Sequence, residues 1–189
     1  TNSGKLRALT SGTLNIGGNL NISGGTFEVA SSSGIVNVTG TVNLSGGTLD
    51  VTSGTSTATL NVPGTFNQTG GTINATGSST SNNIVFNGTS NQSVTIGTMG
   101  TGPVGFRLNN INGITLTGNM VINNTAALTI SNGNIGGSGT VTYSGATSRL
   151  IYNSTNNSQV ANAIEFPSSN GPASLTINNT NTSPNNVVG

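Results

Sequence analysis

With 189 residues, the chain is long enough for one elongated domain or for part of a longer array. Asn, Thr, Gly and Ser supply 31, 31, 29 and 24 of them, while the charged set is only Lys5, Arg7, Arg107 and Arg149 against Glu28, Asp50 and Glu165. So few scattered charges give no field to attract nucleic acid or anionic lipid, and the absence of Cys and His excludes disulfides, thiol chemistry, and the commonest general base and metal ligand.

No run approaches the ~18 apolar residues that cross a bilayer. Without a visible signal peptide, the expectation is a processed or excised piece of a longer protein. Low charge is unusual for a disordered chain, which solvates itself with net charge. The apolar residues are mostly β-branched or Leu and regularly spaced, so a narrow core is possible.

From the N-terminus, three apolar–polar–apolar triplets recur together. Leu14-Asn15-Ile16 returns as Val36-Asn37-Val38 and Leu60-Asn61-Val62, at spacings of 22 and 24 residues. Leu20-Asn21-Ile22 returns as Val42-Asn43-Leu44 and Phe66-Asn67-Gln68, and Phe27-Glu28-Val29 as Leu49-Asp50-Val51 and Ile73-Asn74-Ala75. Three registers moving in step define a true repeat, and the extra residues fall in Ser53 to Ala58, where a loop absorbs them. Alternation turns the outer members of each triplet to one face and the central residue to the other. The expected core is therefore Leu14, Ile16, Leu20, Ile22, Phe27 and Val29, then Val36, Val38, Val42, Leu44, Leu49 and Val51, then Leu60, Val62, Phe66 and Ile73. Gly24-Gly25, Gly46-Gly47 and Gly70-Gly71 stand where the chain must turn sharply.

Three strands and three corners in each repeat describe one coil of a right-handed parallel β-helix, an all-β solenoid with coils of about 22–25 residues. Identical registers predict pairing between successive repeats rather than within one. After Ser79 the pattern loosens through Ile84-Val85-Phe86, Val94-Thr95-Ile96, Ile114-Thr115-Leu116, Met120-Val121-Ile122, Leu128-Thr129-Ile130, Val141-Thr142-Tyr143 and Leu175-Thr176-Ile177. Gly100 to Asn110 and Asn153 to Pro172 read as longer loops or irregular coils. The whole is taken as one solenoid domain over 1–189, with regular coils over 1–81 and looser ones over 82–189. No helix is expected.

The stretches "LNISGGTFEV", "VNLSGGTLDV" and "EFPSSNGPASLTINN" resemble the repeat regions of secreted bacterial β-solenoid surface proteins. These are adhesins of the autotransporter-passenger or type IX-secreted kind. The resemblance implies an extracellular stalk, adhesin or fibre and transfers no active-site residue.

Glu28 and Asp50 fall at equivalent outward positions on adjacent coils, with backbones about 4.8 Å apart. Such a pair could serve a retaining glycosidase or form part of a Ca²⁺ site. The next coil carries Asn74 there, so two exposed polar residues on a solenoid face are the favoured reading. Asn15, Asn37 and Asn61 form one expected column and Asn21, Asn43 and Asn67 a second, able to hydrogen-bond along the axis. Gln68 stands where an apolar residue is expected and marks a local defect or coil edge. Thr95, Thr115, Thr129, Thr142 and Thr176 could form an ice-binding array, although Thr is also simply a good strand residue. Tyr143 and Tyr152 stand alone, and the five Phe are assigned to the core.

The expectation is thus a non-enzymatic extracellular structural protein needing no cofactor. Its ends lack an obvious cap, so it would associate end to end or continue into further repeats. A glycan or surface ligand is possible, and nucleic acid and a membrane span are not expected. A carbohydrate-binding or polysaccharide-cleaving β-helix is the alternative, and an ice-binding solenoid the third.

Overall fold

The computed structural model describes residues 4–154, 159–160, 162–178, 180 and 187–188. Strand β1 (Lys5–Leu9) is followed by coil one, β2 (Gly12–Ile16) with the long β3 (Leu20–Ala30), and by coil two, β4 (Gly34–Val38) with β5 (Val42–Thr52). Coil three is β6 (Ala58–Val62), β7 (Phe66–Gln68) and β8 (Thr72–Asn74), and coil four is β9 (Asn83–Phe86), β10 (Gln92–Ile96) and β11 (Thr98–Met99). Coil five holds β12 (Gly105–Asn109) and β13 (Ile114–Asn123), and coil six β14 (Ala127–Asn132), β15 (Ile135–Gly137) and β16 (Thr140–Ser144). Then come β17 (Arg149–Tyr152), β18 (Gln159–Val160), β19 (Ser174–Ile177) and β20 (Val187–Val188), the last paired with β18. No helix occurs among the described residues.

Each coil stacks on the next in parallel register, which makes a β-solenoid of about eight turns. The first wall runs β2-β4-β6-β9-β12-β14-β17-β19. Its inward column is Leu14, Val36, Leu60, Ile84, Phe106, Leu128 and Leu150, each the ladder partner of the one before, and it continues in register to Leu175, which is 46% exposed on the last strand. The second wall uses the first halves of β3, β5 and β13 with β7, β10 and β15. The third uses β1, the second halves of β3 and β5, β8, β11 and the β13–β16 pair.

β3 and β5 pass through two walls because a glycine pair bends each of them. The second glycine lies in the left-handed region, with φ 66° at Gly25, 71° at Gly47 and 66° at Gly71. A Cβ on Gly47 would also strike the Gly25 carbonyl and lie 2.6 Å from the Gly24 carbonyl carbon. Corner therefore stacks on corner only because neither has a side chain.

Of the expected core, Leu20, Ile22, Phe27, Val29, Val36, Val38, Val42, Leu44, Leu49, Val51, Leu60, Val62, Phe66 and Ile73 are all buried. Leu14 and Ile16 are only partly so, because β2 is the last strand of its wall and has a neighbour on one side. Phe66 meets Phe86 edge-on at 6.1 Å, and Phe86 stacks on Phe106 at 6.2 Å, filling the interior where the repeat loosens.

The stretch Gly100 to Asn110 is not a loop throughout. Its second half is the regular strand β12, which continues the first wall between β9 and β14. Pro103 hid the alternation of Phe106 and Leu108. In the other expected loop, Asn153 to Pro172, residues 155–158 and 161 lie outside the described residues.

Candidate functional site

The acids sit differently from the sequence expectation. Glu28 and Asp50 are ladder partners, with Arg7 and Asn74 on either side, so the third wall carries a column Arg7–Glu28–Asp50–Asn74. They are not exposed: Glu28 is 0% and Asp50 2% accessible. Glu28 is covered by Lys5 and Arg7 of its own wall and by Ser53 of the following corner, and Asp50 by Thr76 of the corner after that. Glu28 Oε2 accepts from Lys5 Nζ at 2.6 Å and Arg7 Nε at 3.0 Å, and its Oε1 accepts from the Ser53 hydroxyl. Asp50 Oδ1 accepts from the Thr76 amide at 3.0 Å and Oδ2 from the Thr76 hydroxyl at 2.6 Å. Asn74 Oδ1 accepts from the Gly102 amide at 3.0 Å.

This is one acceptor position used three times to fasten the next coil's corner, and a neutral amide serves as well as a carboxylate. Burial pushes the Glu28 carboxyl up, but Lys5, Ser53 and Arg7 outweigh it and hold the group at about 2. A cation or glycosidic oxygen between Glu28 and Asp50 would have to displace all of these donors. Sequence reading missed the role because the corner donors lie one coil plus two or three residues away. The signal was present in the spacings Glu28 to Ser53 and Asp50 to Thr76.

The asparagines line up along the axis. Asn37 donates to Asn15 and Asn61 to Asn37, both at 2.7 Å, on the outer face of the first wall. In the second wall Asn43 donates to Asn21 at 2.8 Å, and Asn67 is in ladder register with Asn43 and with Thr95. Further rungs join Asn132 to Asn109 and Asn178 to Asn153.

Gln68 is no defect. It is buried and brackets three backbone groups, donating to the Thr98 carbonyl at 2.8 Å and the Gly71 carbonyl at 3.2 Å while accepting from the Gly97 amide at 2.9 Å. Gln92 does the same at the next corner, with the Val62 and Gly64 carbonyls and the Gly88 amide. Buried amides thus replace water where the chain turns inside the rod.

The threonines do not assemble into one surface. Thr129 and Thr176 lie on the first wall, Thr95 and Thr115 on the second, and Thr142 on the third, and Thr129 and Thr176 are separated by Ile151. A flat array would need them on one wall.

The two ends contrast. At the β1–β3 end a cavity of about 640 Å³ opens onto inward side chains, Leu6, Ala8, Leu14, Ile16, Leu20 and Phe27 among them, with Leu6 65% exposed. Near the other end a turn over Asn162 to Phe166 covers part of the core with Ile164 and Phe166, while Leu175 and Ile177 of β19 beyond it are 46% and 56% exposed. This partial cover was not recognised in the sequence because it carries a Glu between two apolar residues. Glu165 is fully buried there, and Tyr143 and Tyr152, expected to stand alone, both meet it.

The walls and their columns define the chain as a parallel β-solenoid repeat protein. Compared with protein-family models, with curated proteins and with solved structures, it matches none of them.

Proposed function

We propose that this solenoid is a non-enzymatic structural element, a stalk, adhesin segment or filament subunit displayed outside a bacterial cell. The observation that carries the reading is the fate of the acids. Glu28, Asp50 and Glu165 are all buried and held in internal contacts, while asparagine ladders dress the outer faces. Such a rod gains rigidity from ladders along its axis and solubility from uncharged amides and hydroxyls, whatever the salt. The open cavity beside β1 to β3 supports association, since apolar side chains and a strand edge together invite further β-structure. That partner is a second copy or a further repeat.

Incubating the purified chain with a panel of polysaccharides, and following new reducing ends and unsaturated uronates, tests the non-enzymatic reading. Turnover above a denatured control would overturn it. Sedimentation over a concentration series tests association. Oligomers that dissociate on Leu6→Lys are expected, and a single-chain species at every concentration removes the filament version.

Glycan binding is the second reading. It is favoured by a groove of about 360 Å³ lined by Met99, Thr101, Asn123, Asn124 and Ser144. A glycan array that stays blank removes it.

A further inference from the structure

The turn over Asn162 to Phe166 is fastened by its first residue. Asn162 Oδ1 accepts from the amides of Ile164 at 2.9 Å and Glu165 at 3.2 Å, and its Nδ2 donates to the Ile135 carbonyl at 2.7 Å. The Phe166 amide returns to the Asn162 carbonyl at 3.0 Å, and the Phe166 ring stacks on Tyr152 at 6.3 Å. This geometry drives Glu165 into the core. There Oε2 accepts from the Tyr152 hydroxyl, the Glu165 carbonyl accepts from the Tyr143 hydroxyl at 3.1 Å, and Oε1 is left buried without a hydrogen-bond partner.

We propose that this turn is a proton-held plug: a neutral Glu165 carboxyl seats it against the core, and loss of that proton unseats it while the walls stay intact. Among the described residues no cation faces Glu165 to balance a charge. β16 contributes Tyr143 and β17 contributes Tyr152. Arg149, also on β17, has its guanidinium on the Thr125 carbonyl instead. β15 has no titratable residue, and neither has the rest of the turn. A carboxylate here would be a buried anion with no cation in reach, stabilised only by the Tyr152 hydroxyl and the Ile135 and Asn162 amides, which a protein avoids by keeping the proton or by moving the group to water. Burial raises the Glu165 carboxyl from its ordinary value, and the Tyr152 hydroxyl and nearby amides offset only part of that. Burial, followed by Glu165 itself, also raises both phenols, so they stay neutral while the carboxyl titrates. The walls are held by backbone ladders that do not involve Glu165, so unseating the turn leaves them standing.

The composition supplies two reporters. The chain has two Tyr and no Trp, so near-ultraviolet tyrosine dichroism reports the two phenols that meet the plug. Its two glutamates, Glu28 and Glu165, give two carboxyl signals in a ¹³C-glutamate-labelled sample. Titration from roughly pH 4 to pH 9 should move one carbon at a pH above the ordinary glutamate range. Most of the tyrosine dichroism is lost in step with it, while the far-ultraviolet strand signal holds. In Glu165→Gln the tyrosine signal should stay flat across the same range. Superimposable tyrosine profiles for the two proteins would overturn the proposal, as would strand signal falling together with tyrosine signal. If Glu165→Gln does not fold, the wild-type carbon decides alone: a second glutamate titrating at the ordinary pH sinks the plug.

Discussion

Glu28 and Glu165 are both sealed from water near opposite ends of one rod, yet their surroundings drive them in opposite directions. Glu28 lies on the outer side of the third wall, where Lys5, Arg7 and Ser53 close over an ionised carboxylate. Glu165 lies inside the core, where two phenols and no cation meet it. Burial alone therefore does not decide the charge of a carboxyl; the donors that come with it do. The first arrangement keeps the repeat regular, since the same acceptor position recurs as Asp50 and Asn74. The second interrupts the repeat and covers part of the core instead.

Truncating the aromatic anchors should separate the two regions most strongly. Phe66→Ala removes a fully buried ring from the middle of the regular stack, and should cost about 3–5 kcal/mol in chemical denaturation with loss of strand signal as a whole. Phe166→Ala, at the half-buried turn, should cost clearly less and leave the strand signal in place. Equal losses would mean that the turn is as integral to the rod as the coils.

Acid gives the next largest effect. The folded Glu28 carboxyl sits at about 2, below its ordinary 4.5, so its stabilisation is complete above 4.5 and disappears as pH falls towards 2. Its cationic partners are nearly half exposed, which limits the gain. Glu28→Gln should thus cost about 1–2 kcal/mol at neutral pH and almost nothing near pH 2, measured by urea denaturation. Glu165 has the opposite sign: its raised carboxyl stabilises below 4.5, and the contribution is lost as pH rises through the folded value. A Glu28→Gln penalty that persists unchanged in acid would break the contrast.

The smallest effect concerns the outer face. Asn37→Ala removes two ladder rungs, to Asn15 and to Asn61, and should cost about 1 kcal/mol, since exposed amides recover water on losing their partner. No change in thermal midpoint would assign these ladders to solubility rather than stability.

Most of the coil was legible in the residues because three short-range rules agree there. Alternation fixes which side chains of Leu20–Ile22 or Val42–Leu44 enter the core, paired glycines fix the bends, and equal spacing fixes the stacking partner. The acids were not legible in the same way. Alternation correctly put Glu28 and Asp50 on the outer face, but outer did not mean wet, because Ser53 and Thr76 arrive from the next coil. Gln68 was legible as a coil edge but not in its role: a polar residue at an inward position looks like an error until the carbonyls of Gly71 and Thr98 are seen beside it. β12 was hidden by the neighbouring Pro103 and glycines, whose turn character masked two inward apolar residues.

By itself, then, the sequence determined the walls, the corners and the vertical registers, since each depends on side-chain alternation or backbone freedom within a few residues. The tertiary structure alone decided which polar groups are roofed, which donors satisfy them, and that one carboxyl ends inside the core between two tyrosines. Those outcomes depend on contacts between residues 13 to 30 positions apart, whose distance in space is set only once the coils have stacked.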